Sequence, residues 1–133
     1  MRTWRLLGHY DAVTTTYSAC AGALQTSPYT PDFNGTLIGL RAIVMGGAAT
    51  SLVQHVQFRL SSTTFTPNVV HVGGQGAGIQ TAPAVSMGPV LDWQIIQPVR
   101  SGVPIDIEGR NNAGAATPVT VNVALYGLFE VGK

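Results

Sequence analysis

Strict alternation of apolar and polar positions is clearest at the C-terminal end of the chain. Its apolar phase consists of Val119, Val121, Val123, Leu125, Gly127, Phe129 and Val131. The intervening positions include Thr120, Asn122, Tyr126 and Glu130. Because successive side chains of a β-strand point to opposite faces, this period of two predicts a long strand with one buried face over residues 119–131.

Shorter segments of similar character predict six further strands. They cover residues 6–13, 36–45, 52–60, 68–72, 91–95 and 103–110. The segment 36–45 is apolar in both phases apart from Arg41, which is typical of an internal strand that is covered on both faces. The segment 6–13 is expected to be an edge strand.

The segments between these strands contain turn residues rather than helix signals. Gln97 and Pro98 are expected to close the strand at 91–95, and residues 111–118 are expected to form a hairpin loop. The best helical candidate, residues 17–24, is short and rich in Ser, Ala and Gly, so we predict at most one helical turn.

Seven or eight strands without a helix place the chain in the all-β class, as a single domain over residues 1–133. An immunoglobulin-like sandwich, a jelly roll and a small closed barrel all fit this pattern. The connections at 14–35 and 61–90 are too long for hairpins and suit the crossing loops of Greek-key topology. We therefore predict an antiparallel β-sandwich of jelly-roll type.

Composition indicates what kind of surface this sandwich has. Only 10% of the residues are charged, the formal net charge is +1, and no basic stripe exists to follow a nucleic-acid backbone. Monomers usually cover their surface with mixed charges, so here either uncharged polar residues and glycine cover the surface, or part of it is buried against copies of the chain. We find neither a signal peptide nor a transmembrane segment, and Cys20, as the only cysteine, is expected to be a small apolar filler.

Candidate chemistry is sparse. His9, His55 and His71 are too far apart in sequence for metal-ligand spacing. Asp106 and Glu108 are expected to share the wet face of one strand as solvated carboxylates, with Arg110 on that face as their partner. The sequence thus predicts no catalytic, cofactor-binding or metal-binding residue, no cofactor and no enzymatic activity.

Aromatic residues leave a second function class open. Trp93 shares its strand face with Leu91 and Ile95 and is expected in the core. The remaining candidates for an exposed stacking platform are Trp4, Tyr10, Tyr17, Tyr29 and Tyr126. The alternative to a self-assembling subunit is therefore a carbohydrate- or ligand-binding β-sandwich module.

Two segments of the C-terminal third have a recognisable form: WQIIQPVRSGVPIDIEGRNN from Trp93, and VTVNVALYGLF from Val119. They combine a Gly-x-Pro strand, an Asn-rich turn and a final valine-rich strand that ends near a Gly-aromatic pair. In this respect the chain resembles the closing strands of viral single jelly-roll proteins, which include capsid, vertex and decoration subunits.

The resemblance implies a non-enzymatic structural subunit of a virion, made in the host cytoplasm, that contacts its own copies and other shell proteins. Its interfaces are then expected in residues 14–35, 46–51, 61–90 and 111–118, with the termini as exchangeable arms. Many coat proteins carry a basic N-terminal arm, whereas this chain has only Arg2 and Arg5 there. A vertex, decoration or membrane-facing role therefore fits as well as contact with a packaged genome.

Overall fold

The computed structural model describes residues 1–10, 17–22, 25–47, 56–73, 90–111 and 121–132. These ranges contain ten strands and no helix. In chain order the strands are β1 (Arg2–Tyr10), β2 (Ser18–Ala19), β3 (Ala21–Gly22), β4 (Gln25–Thr26), β5 (Gly35–Gly47), β6 (Val56–Ser61), β7 (Val69–Gly73), β8 (Val90–Val99), β9 (Asp106–Asn111) and β10 (Val121–Val131).

Eight of the strands form two antiparallel four-stranded sheets that pack as a β-sandwich. Sheet A has the order β1-β10-β5-β8, and sheet B has the order β2-β9-β6-β7. The two-residue strands β3 and β4 pair with each other in the connection from β2 to β5. The predicted all-β sandwich is confirmed.

The core lies between the sheets. Sheet A contributes Leu7, Tyr10, Leu37, Leu40, Ala42, Ile95, Val99, Val123, Leu125 and Phe129, and sheet B contributes Phe58, Leu60 and Ile107. The inward phase predicted for the last strand is confirmed in β10, while Val119 and Thr120 lie outside the described residues. Phe129 closes one end of the core, with its ring 5.1 Å from that of Phe33 and 6.0 Å from that of Tyr29.

Several register shifts adjust the alternation in sheet A. Leu7 is an extra residue in β1 relative to β10, and Ile38 and Met45 are extra residues in β5 relative to β10. Between β5 and β8 the extra residue lies in β8, where Ile95 and Ile96 stand against Ile38 alone. A bulge reverses the phase of the residues that follow it. The bulge at Ile38 allows Leu37 and Leu40, which are three positions apart, both to be fully buried.

The two edge strands of sheet A, β1 and β8, can be compared with the strands predicted at 6–13 and 91–95. The edge strand predicted at 6–13 is β1, which begins at Arg2, and residues 11–13 lie outside the described part. The strand containing Trp93 does not end at Gln97 but continues to Val99, because β8 is an edge strand, where proline is tolerated. Trp93 is partly buried against the core, as expected.

The hairpin predicted at 111–118 is wrong, because β9 and β10 belong to different sheets and are not paired with each other. Within 17–24, where at most one helical turn is expected, the described residues include β2 and β3 and no helical turn. The strand β5 is internal, as predicted, but only one face packs on the core, and Arg41 and Ile43 on the other face are half-exposed. Tyr10, expected at the surface, is buried.

The N-terminus is part of sheet A rather than a free arm. The amide of Val131 donates a hydrogen bond to the carbonyl oxygen of Met1 at 2.7 Å. The interface loops predicted at 46–51 and 111–118 fall almost entirely outside the described residues, and their role stays a prediction.

Candidate functional site

The histidines do not meet in one site within the described part of the chain. His9 is buried on β1 in sheet A, whereas His71 is exposed on β7 in sheet B. His55 lies outside the described residues. Over those same ranges, no group of three or more histidine, cysteine or carboxylate side chains is placed to hold a metal ion.

Cys20 is fully buried, as expected for an apolar filler. Burial, with a smaller contribution from the charge of Glu108, raises the pKa of its thiol to about 12. The thiolate is the reactive form of cysteine, so the folded chain keeps Cys20 protonated and unreactive near neutral pH.

Asp106 and Glu108 share the outer face of sheet B, as predicted, but the prediction that Arg110 is their partner is wrong. Glu108 pairs with Arg59, whose Nε donates to Glu108 Oε1 at 2.7 Å. The register explains this choice, because Arg59 stands directly opposite Glu108 on the neighbouring strand β6. Arg110 is two residues further along β9 and binds Gln57 instead.

These side chains surround Tyr17, which comes just before β2. The guanidinium carbons of Arg59 and Arg110 lie 4.4 and 4.7 Å from the centre of the Tyr17 ring, within cation–π range. The ring of His71 lies 5.9 Å from it, tilted by 59°. We call this group the Tyr17 cluster; its members are Tyr17, Gln57, Arg59, His71, Glu108 and Arg110.

The two arginines of the Tyr17 cluster differ in how their charge is balanced. Arg59 forms an ion pair with Glu108, its terminal nitrogen 2.6 Å from the carboxylate. The Nε of Arg110 donates to the neutral amide oxygen of Gln57 at 2.8 Å. Within the described ranges, Arg110 therefore has no carboxylate partner.

Sheet A presents a different outer surface, on which apolar side chains lie beside two ion pairs, Arg41 with Asp92 and Arg2 with Glu130. We call it the Trp4 face; its members are Trp4, Leu6, Ile43, Ile96, Tyr126 and Leu128. Trp4 is 43% exposed and Ile96 79% exposed. Trp4, Ile43 and Tyr126, together with Arg41, line a hollow of about 210 Å³.

An ion pair joins the strands β5 and β8 on this surface. Arg41 on β5 binds Asp92 on β8 through two hydrogen bonds, with its Nε 2.7 Å from Asp92 Oδ1. These bonds hold the pKa of Asp92 below its ordinary value and raise that of Arg41. The bidentate geometry fixes Arg41 beside Trp4.

Neither surface follows from the sequence alone. Trp4 and Tyr17 were candidates for exposed aromatic residues, but the sequence gives no sign of the arginines that cover them. Arg41 and Trp4 are brought together across β10, and Tyr17 and Arg59 by the pairing of β2, β9 and β6. The alternation of residues along β9 places Glu108 and Arg110 on the same face of the strand. This is the one sequence feature that points to the Tyr17 cluster.

Comparison with known proteins yields no match to a family, a curated protein or a solved structure. In the described part of the chain, no helix has the length and apolarity needed to cross a bilayer.

Proposed function

We propose that the two sheets are those of a jelly roll. Apart from the small β3–β4 ribbon, the first strand pairs with the last and the pairing continues inwards: β1 with β10, β2 with β9, β5 with β8 and β6 with β7. These are the pairs of one long antiparallel hairpin. Rolling up such a hairpin brings β10 beside β5 and β9 beside β6, and it produces two sheets of four strands.

The function we propose is that of a non-enzymatic structural subunit that associates with its own copies through the Trp4 face. One observation carries this proposal. Trp4 adjoins the hollow beside Ile43 and Tyr126, and Ile96 is exposed on the opposite edge strand of the same outer sheet surface, about 14 Å across the sheet. Single exposed apolar residues are ordinary, whereas a contiguous group of them marks an interaction surface.

A second copy of the chain is the partner that suits this surface best. The charges beside it are already paired within the chain, Arg41 with Asp92 and Arg2 with Glu130. A partner of opposite charge is therefore not required, and an identical apolar surface can face it across a two-fold axis. With only 10% charged residues, the chain has few ionic groups to desolvate in such a contact.

A virion shell is the setting we propose for this association. The segments that resemble viral single jelly-roll subunits correspond to β8, β9 and β10. In the proposed jelly roll, β10 is an internal strand of the sheet that carries the Trp4 face. The role of a capsid, vertex or decoration subunit is consistent with the resemblance of these segments and with the position of β10 in the associating sheet.

Charge placed on the Trp4 face tests the association. Ile96→Asp should weaken self-association roughly tenfold or more, because the new carboxylate would be buried without a partner. Sedimentation equilibrium gives the association constant directly. Val69→Asp is the matched control, since Val69 is an exposed apolar residue on the opposite sheet, 40% exposed. Equal association constants for the two variants would contradict the proposal.

A further inference from the structure

We infer that the Tyr17 cluster is a binding site for an acidic saccharide, with Arg110 and His71 holding a carboxylate or sulfate group. The site lies on the outer face of sheet B. The self-association proposed above uses sheet A, so the two proposals stand or fall separately.

Arg110 is the primary ligand-binding group. Its Nε is held by Gln57, and its guanidinium lies on the Tyr17 ring, 4.7 Å from the ring centre. The terminal nitrogens form no hydrogen bond with another described residue. A guanidinium fixed in this way presents a planar fork of donors, which matches the two oxygens of a carboxylate or sulfate.

The surroundings of Arg110 favour an anion. Arg59 approaches the same tyrosine ring, and one carboxylate, Glu108, balances the two arginines. His71 stands opposite Arg59 on β7, is exposed, and brings a ring N–H to the edge of the cluster. Asp106, the other carboxylate on this face, lies four residues from Arg110 along β9, so the excess of positive charge is confined to the Arg110 end of the cluster.

The saccharide part is inferred from a hollow on the same side of the molecule. Its volume is about 260 Å³, and its lining residues are Ser61, Ser62, Thr63, Asn68, Pro104 and Asp106. Ser61 and Asp106 face each other two residues beyond the pair of Arg59 and Glu108, a distance of about 7 Å along the strands.

Hydroxyl groups are the natural ligands of this hollow. The side chains of Ser61, Thr63 and Asp106 form no hydrogen bond with another described residue, so they can accept and donate bonds to sugar hydroxyls. A nucleic acid fits poorly, because its repeated phosphates would meet the carboxylates of Asp106 and Glu108. Arg110 lies four residues from Asp106 along β9, about 13 Å, so a ligand whose acid group and hydroxyls are about 13 Å apart fits both parts of the surface.

Titration of the full chain, followed by NMR and calorimetry, tests this inference. The probes are a sulfated disaccharide, a uronate disaccharide, their neutral counterpart, inorganic sulfate and a short single-stranded oligonucleotide. An acidic disaccharide should bind, shift the Tyr17 ring resonances and bind more tightly than inorganic sulfate, while its neutral counterpart should not bind. Which acidic probe binds more tightly distinguishes sulfate from carboxylate.

Arg110→Gln should weaken binding of the acidic disaccharide roughly tenfold or more, because a charged hydrogen-bond donor is lost. Arg100→Gln, a change at an exposed arginine away from the cluster, should leave binding unchanged. Arg110→Lys keeps the charge but removes the fork, and it should also bind more weakly. Binding that is insensitive to both Arg110 variants, equal affinity for inorganic sulfate, tighter binding of the oligonucleotide, or no binding of any acidic probe would overturn the inference.

Discussion

The guanidinium carbon of Arg41 lies 4.9 Å from the centre of the Trp4 ring, although one strand separates the two residues in sheet A. Arg41 reaches across β10 from β5 to the edge strand β1, while its two hydrogen bonds to Asp92 connect it to the opposite edge strand, β8. One side chain thus links both edges of the sheet and forms part of the floor of the Trp4 face.

Removal of this arginine should be visible at Asp92. Because Arg41 holds the pKa of Asp92 below its ordinary value, Arg41→Gln should raise that pKa towards its ordinary value. The stabilising contribution of the pair is complete above the pKa of Asp92 in the unfolded chain, and it is lost as the pH falls through the lower value of the folded state. Carboxyl chemical shifts during an acid titration report both effects. Arg100→Gln should leave Asp92 unchanged, and an Asp92 that titrates identically in Arg41→Gln and the unsubstituted protein would refute the coupling.

A glycine in β10 makes room for three core side chains. A Cβ at Gly127 would lie 2.8 Å from Leu7 Cδ1, 2.9 Å from Leu37 Cδ1 and 3.1 Å from Phe129 Cε2. Gly127→Ala should therefore destabilise the fold by about 1–3 kcal/mol through overpacking.

Gly39→Ala is the matched control for this substitution. A Cβ at Gly39 would find Leu128 Cβ at 3.6 Å, an ordinary contact, so its stability should stay the same or rise by up to about 1 kcal/mol. Urea denaturation measures both variants. If Gly127→Ala is as stable as Gly39→Ala, the packing described for this end of the core is wrong.

Cys20 should be protected from thiol reagents by the fold. Since burial raises the pKa of its thiol to about 12, the native protein should react with a disulfide reagent far more slowly at pH 8 than it does in urea. The same shift makes stability depend on pH. Below about pH 8.5 the thiol is protonated in the unfolded chain as well, so the free energy of unfolding is unaffected. It declines as the pH rises from there towards the pKa of the thiol in the folded chain.

This decline should be absent in Cys20→Ala, which offers the matched comparison. Equal rates of modification in buffer and in urea would show that the Cys20 side chain is accessible.

Much of the fold follows from local alternation. The positions of Val123, Leu125 and Phe129 fix an inward face because the period of two extends over the whole of β10. Leu7 and Ile38 could not be assigned in this way, because bulges change the phase within a strand. The strands β2, β3 and β4 have two residues each, too few for any period to be detected.

The candidate surfaces depend on pairings that are remote in sequence. The partners Arg59 and Glu108 are 49 residues apart, and Arg41 and Asp92 are 51 apart. The sequence places Glu108 and Arg110 on one face of a strand, but which arginine faces the carboxylate is decided by the register between β6 and β9. That register is a property of the sheet as a whole.

The mass of the purified protein in solution, measured by light scattering over a wide range of concentration, tests the central claim most directly. The account predicts particles at least twice as heavy as the 13.9 kDa chain, which return towards that mass when Ile96 is replaced by Asp. A mass of 13.9 kDa at every concentration, the highest included, would contradict it.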